Sequence, residues 1–154
     1  YAQAFPSFGP ERRGAPVMAF CRISDDPIRI RANISEPDLV VVLDYSILRI
    51  VDVTSGLKLP HGILVTDSKF PAEKVRADFN IKAKLAAVDA TAIAMEVLGL
   101  AITNTTMLGS LVKASDVIQR ESLIEPLHER FGRIAEKNIV AYERAFEETV
   151  LLDG

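Results

Sequence analysis

The sequence predicts an α/β fold: a three-layer α/β/α sandwich with a mostly parallel central sheet, an antiparallel hairpin near the N-terminus and a helical C-terminal part. Three observations predict it. The run Leu39-Val40-Val41-Val42-Leu43 is continuous and β-branched, the pattern of a strand buried on both faces in a parallel sheet. Strand-like segments alternate with helix-like ones through the middle of the chain. The last third carries apolar residues at helical spacing, which places helices over the sheet.

Residues 1–15 are punctuated by Pro6, Gly9, Pro10 and Gly14 and read as a loop. From Pro16 to Ser24 the chain alternates, with Val17, Ala19, Cys21 and Ile23 on one face, and reads as a strand. Asp25-Asp26-Pro27 is a turn, and Ile28-Arg29-Ile30-Arg31 is a short second strand, so the two pair as a hairpin. After the buried strand, residues 46–55 read as a short helix or turn ended by Gly56. Gly62–Thr66 is a strand around Ile63-Leu64-Val65, residues 71–79 a weak helix or loop, and Ala83–Val88 a further strand.

Three helices follow. Asp89 caps the first, which stops at Gly99. Asn104 caps the second, with Met107, Leu108, Leu111 and Val112 as its apolar stripe. Ser122 and Glu125 have capping-box spacing for the third, although Pro126 leaves its start open by a few residues. After Gly132 a long helix runs to about Val150, its stripe being Ala135, Asn138, Ile139, Tyr142, Phe146 and Thr149. These stripes read as core, with part of the apolar surface available to partners.

Composition narrows the function. A length of 154 residues fits one domain. A net charge of −3 gives no electrostatic case for nucleic acid or an anionic membrane. The lack of Trp and an aromatic content of 6% argue against a stacking platform for single strands. No apolar run approaches the roughly 20 residues of a membrane helix, and no signal peptide is read. The single cysteine, Cys21, allows no internal disulfide and fits a reducing cytoplasm. One thiol also cannot hold an iron–sulfur cluster, which takes about four.

The opening segment carries the most specific signal. Tyr1-Ala-Gln-Ala-Phe-Pro-Ser-Phe-Gly-Pro-Glu-Arg-Arg-Gly-Ala-Pro16 resembles the signature of gamma subunits of 2-oxoacid:ferredoxin oxidoreductases, in the form of the pyruvate and branched-chain (2-oxoisovalerate) type. The resemblance continues through Asp38-Leu-Val-Val-Val-Leu-Asp44, Asp89-Ala-Thr-Ala-Ile-Ala94, Asn104-Thr-Thr-Met-Leu-Gly109 and Ile134-Ala-Glu-Lys-Asn-Ile139. It therefore spans residues 1–154 as one gamma-type catalytic domain. It departs from the family at the start, where a first strand and a glycine-rich turn are expected before Tyr1. Such a turn would offer backbone N–H groups to a phosphate. The expectation is a chain truncated or disordered at its start; the alternative is that another polypeptide supplies the unit.

The resemblance implies a multi-subunit enzyme that decarboxylates a 2-oxoacid, passes electrons to ferredoxin and transfers the acyl group to coenzyme A. Thiamine diphosphate, Mg²⁺ and [4Fe-4S] clusters are implied for the alpha, beta and delta subunits. No cofactor is expected on this chain alone. Its implied share is to pack against those partners and help form the coenzyme A environment.

Site candidates follow, each with its alternative. Arg12 and Arg13 suit the phosphates of coenzyme A, with Glu11 holding one of them and Gly9 and Gly14 shaping the loop; the alternative is an interface salt bridge. Asn104, Thr105 and Thr106 open a helix where α/β folds meet ligands; the alternative is ordinary capping. Asp44 ends a buried strand and is a ligand contact or a turn cap. His61 and His128 lack metal-ligand spacing and read as surface or hydrogen-bonding residues. Cys21 reads as a buried, inert thiol. Three functions stay open: a coenzyme A-facing subunit, a purely structural subunit of the same enzyme, and a free-standing nucleotide- or acyl-CoA-binding module.

Overall fold

The computed structural model describes residues 1–7 and 16–154, which form two compact units, Tyr1–Glu36 and Pro37–Gly154. In the first, β1 (Ala2–Ser7) and β2 (Met18–Ile23) pair antiparallel, with Gln3 opposite Arg22 and Phe5 opposite Phe20. The Phe5 and Phe20 rings lie 5.5 Å apart, and the Arg22 guanidinium sits over Phe5 at 5.7 Å.

This corrects the expected hairpin. The partner of residues 16–24 is the segment read as loop, while 28–31 belongs to no strand. Its alternation is real, but the cross-strand aromatic pair favours β1. Pro6 fits because each strand of a two-stranded ribbon has an open edge. The inner face also differs. Phe20 and Arg22 are half-buried, whereas Ala19, Cys21 and Ile23 are exposed. Cys21 is therefore not a buried thiol.

The second unit is the sandwich. Its sheet has the order β3 (Leu39–Val42), β4 (Ile63–Asp67), β5 (Lys84–Val88), β6 (Val150–Leu152). The first three strands run parallel, and β6 is antiparallel to β5. Both faces of β3 are packed, as its sequence predicts, but Leu39, Val40 and Val41 are only half-buried, and among the described residues β3 pairs on one side only, with β4.

On one face Val42, Leu64, Leu85 and Ala87 pack with Leu48 of a 3-10 turn (Tyr45–Arg49) and with Val75 of α1 (Ala72–Phe79). Arg76 fastens α1 to the sheet edge by donating to the carbonyls of Ala83 at 3.0 Å and Leu152 at 3.1 Å, and to that of Asp153. On the other face Val65, Ala86 and Val88 meet α2 (Ala90–Leu98), α3 (Asn104–Ala114) and α5 (Ala135–Glu148). A third cluster, including Val112, Leu127, Ile139 and Tyr142, joins α3 and α5 to α4 (Ile124–Phe131).

Local chemistry sets the boundaries of α2 as expected. The Asp89 carboxylate accepts from the Ala92 N–H, and Gly99 closes the helix at φ +75°. The Ser122–Glu125 box does not form, because Arg120–Leu123 is a 3-10 turn and Ser122 donates its N–H to the Gln119 carbonyl. Pro126 is tolerated in the first turn of α4, where its missing N–H has no intrahelical partner to lose.

Candidate functional site

The C-terminal edge of the parallel strands is where an open α/β sheet meets its ligands. Each of the three strands reaches an aspartate there: Asp44 after β3, Asp67 ending β4 and Asp89 after β5. The three do different work. Asp44 is exposed and caps the 3-10 turn, accepting from the Ser46 N–H at 2.8 Å. Hydrogen bonding from the Ser46 side chain, and then from its N–H, holds the Asp44 carboxyl below the ordinary carboxylate range. Asp89 caps α2 at 2.9 Å.

Asp67 is buried, 6% exposed, and accepts two hydrogen bonds from Thr91 in the first turn of α2. Burial pushes its carboxyl above the usual range, against the pull of the Thr91 bonds, and the nearby Asp89 charge adds to the rise. The Ser68 N–H donates to the Val88 carbonyl at 2.9 Å, so the ends of β4 and β5 stay in register at this crest. The sequence reading did not single out Asp67. Its one signal was the polar ending Thr-Asp-Ser on an otherwise apolar strand.

The N-terminus of α3 comes to the same edge. Thr103 Oγ1 donates to the Leu43 carbonyl at 3.4 Å, joining the helix start to the end of β3. Asn104 is exposed and is the first helical residue rather than the cap; its Oδ1 accepts from the Thr105 N–H at 2.8 Å. Thr105 and Thr106 are buried, at 4% and 0% exposure, so of this trio Asn104 alone is exposed. Among the described residues the Thr106 and Ser110 hydroxyls have no hydrogen-bond partner.

Gly9, Glu11, Arg12, Arg13 and Gly14 lie outside the described residues. His128 is half-buried and faces Glu136 at 3.7 Å, a surface pairing. His61 lines a groove of about 510 Å³ at the opposite, N-terminal edge of the sheet, together with Lys84, Asp116 and Asp153. Lys84 donates there to the Ala114 carbonyl at 2.8 Å, and the groove holds none of the crest residues. Among the described residues no group of three or more His, Cys, Asp and Glu could hold a metal ion. No described helix is long and apolar enough to cross a membrane.

Residues 1–148 match a family model described as pyruvate ferredoxin/flavodoxin oxidoreductase. The pyruvate/ketoisovalerate oxidoreductases common subunit gamma of Thermococcus kodakarensis is 53% identical over 155 residues, covering 99% of this chain and 83% of that one. The pyruvate synthase subunit PorC of Methanothermobacter marburgensis is 47% identical, covering 96% of this chain and 80% of that one. The crystal structure of pyruvate oxidoreductase subunit PORC from Thermotoga maritima superposes with a TM-score of 0.84 at 33% identity, covering 99% of this chain and 82% of that one.

Proposed function

The chain belongs to the pyruvate ferredoxin/flavodoxin oxidoreductase family, and from that premise we propose that it acts as the gamma subunit of a pyruvate (2-oxoacid):ferredoxin oxidoreductase. In this reading it is inactive alone. It assembles with alpha, beta and delta subunits and contributes to the coenzyme A environment while pyruvate is oxidatively decarboxylated to acetyl-CoA and electrons pass to ferredoxin. The observation that carries the proposal is the likeness along nearly the whole chain to gamma and PorC subunits.

Thiamine diphosphate would supply the carbanion chemistry of decarboxylation, and clusters the electron path, on the other subunits. The single cysteine of this sequence is consistent with that division, since a cluster takes about four thiolates. This chain's share is binding and orientation. Arg12 and Arg13, with Glu11, Gly9 and Gly14 shaping their loop, would hold the phosphates of coenzyme A. Asn104 and Thr105, in the first turn of α3, would present the positive end of the helix dipole at the crest.

Co-expression with the partner subunits tests this directly. The complex should reduce ferredoxin or viologen in a pyruvate- and coenzyme A-dependent way, and the isolated chain should not. Full activity in a complex lacking this chain would sink the proposal. A purely structural role is the second reading, favoured by the uncharged outer face of the ribbon, where Ala19, Cys21 and Ile23 are exposed.

A further inference from the structure

At the N-terminal edge of the sheet, three strands and the segment leaving α3 form a groove of about 510 Å³. That volume falls within the range of small-ligand sites, about 300–1,000 Å³. His61 and Ile63 come from the start of β4, Lys84 opens β5 and Asp153 follows β6, while Asp116 and Val117 follow α3. Ile63 packs with Val65 and Ala86 on the face of the sheet that carries α3. The groove is at the opposite end of the strands from Asp67 and shares no residue with the crest.

The groove carries both signs of charge, and its charged groups are not paired with one another. The register that sets Leu85 opposite Leu152 puts Lys84 across from Asp153, one step further along. Opposite charges so placed on neighbouring antiparallel strands ordinarily attract. Here the Lys84 ammonium turns instead to the end of α3 and donates to the Ala114 carbonyl at 2.8 Å. A helix C-terminus leaves its last carbonyls without intrahelical donors and favours a cation, so this bond anchors the lysine. Among the described residues Lys84, Asp116 and Asp153 make no salt bridge. Arg76 bonds the carbonyl of Asp153, not its carboxylate. Lys84 is half-buried, and both aspartates are exposed. One anchored cation therefore shares the groove with two carboxylates that have no cation of their own.

We propose that this groove binds a zwitterion, an α-amino acid with an aliphatic side chain. An ammonium group has three donors, and the two that Lys84 does not use on Ala114 hold the ligand's carboxylate, with the His61 imidazole adding an N–H. Asp116 and Asp153 hold the ligand's ammonium group through charge-assisted bonds. Ile63 and Val117 offer apolar surface to its side chain. A phosphate-type anion would meet the two carboxylates, and a basic side chain of a peptide would meet Lys84. A ligand that carries both charges meets neither conflict.

The probe is L-leucine, titrated calorimetrically into the chain as purified, together with any partner subunits that accompany it. Isoamylamine and isocaproate, which are leucine without its carboxylate and without its ammonium group, are titrated beside it. Leucine should bind saturably, and each analogue about tenfold more weakly, as for one lost charge-assisted contact. Asp116→Asn with Asp153→Asn should weaken leucine binding about tenfold and leave isocaproate binding unchanged. Lys84→Gln should weaken leucine binding by a similar factor and leave isoamylamine binding unchanged. Glu129→Gln, on α4 and outside the groove, should alter none of these. The aspartates are exposed, so the fold should survive their replacement; if Lys84→Gln loosens the end of α3, the aspartate variant and the two analogues still decide. No saturable leucine binding, or undiminished binding in the aspartate variant, overturns the site. Isoamylamine binding as tightly as leucine overturns it too, in favour of a groove for basic groups alone.

Discussion

Asp67 and Thr91 lock the end of β4 to the first turn of α2: the Thr91 hydroxyl donates to the Asp67 carboxylate at 2.5 Å and the Thr91 N–H donates at 3.2 Å. The pair joins strand and helix across 24 residues of sequence. The carboxylate pays for burial with an upward-shifted pKa, while Thr91 holds that shift back.

Thr91→Val keeps the shape and removes the hydroxyl. A hydrogen bond to a charged, part-buried group contributes about 1.5–3 kcal/mol, so a loss of about 2 kcal/mol is expected at neutral pH. The Asp67 carboxyl should shift further upward, since a bond favouring its charged form is gone. A group whose folded pKa is raised binds its proton more tightly when folded, so its contribution to stability is fully present below the unfolded pKa and declines as pH rises through the folded one. The variant's deficit should therefore be larger at pH 7 than under acidic conditions where Asp67 is protonated. Denaturant unfolding at both pH values, with a carboxyl NMR titration of Asp67, checks this; an equal deficit at both would contradict it.

Gly109→Ala should destabilise by about 3 kcal/mol, the upper part of the range for overpacking. A Cβ there would run into the Tyr142 carbonyl oxygen and lie 2.8 Å from the Phe146 nitrogen, both backbone atoms of α5. Neither can yield without moving the helix that covers the sheet. A melting temperature within a degree of the wild type would show that α3 and α5 do not approach this closely.

Tyr142→Phe isolates one hydrogen bond. The Tyr142 ring is fully buried, and its hydroxyl donates to the Arg120 carbonyl at 2.9 Å. Phe keeps the packing and leaves that carbonyl short of a donor, so about 1 kcal/mol should be lost. Urea unfolding should show a lower midpoint with an unchanged slope.

Where the signals are local, the sequence was readable. Asp89 and Gly99 bound α2 because a cap and a left-handed glycine act within one turn of the residues they serve. Strand β6 was not, because Val150–Leu152 continues the apolar stripe of α5 and only its pairing with β5 makes it a strand. On β2 the more apolar set of alternating residues faces outward, while Arg22 is half-buried over Phe5, so periodicity pointed to the wrong face. The crest divides in the same way. Asp44 and Asn104 stood out at element ends. Asp67 with Thr91 depends on a contact between separate segments, and locally only the polar Thr-Asp-Ser ending of β4 marks it.

Arg12→Ala with Arg13→Ala tests the proposed coenzyme A environment. The two arginines sit in a Pro/Gly-framed segment, Gly9-Pro10-Glu11-Arg12-Arg13-Gly14, within the stretch that matches the family. Arginine offers planar forks matched to phosphate, so if both meet the ligand, the double variant should raise the KM for coenzyme A by about tenfold or more, one charge-assisted contact being worth about that factor. The KM for pyruvate should not follow, because the 2-oxoacid carries no phosphate for these side chains to hold. A scaffolding role predicts the reverse pattern: weaker co-purification with the partner subunits and an unchanged KM in whatever complex forms. Steady-state kinetics on the assembled enzyme, read beside subunit stoichiometry, separates the two. An unchanged KM for coenzyme A in a fully assembled complex would remove the arginines from the ligand site.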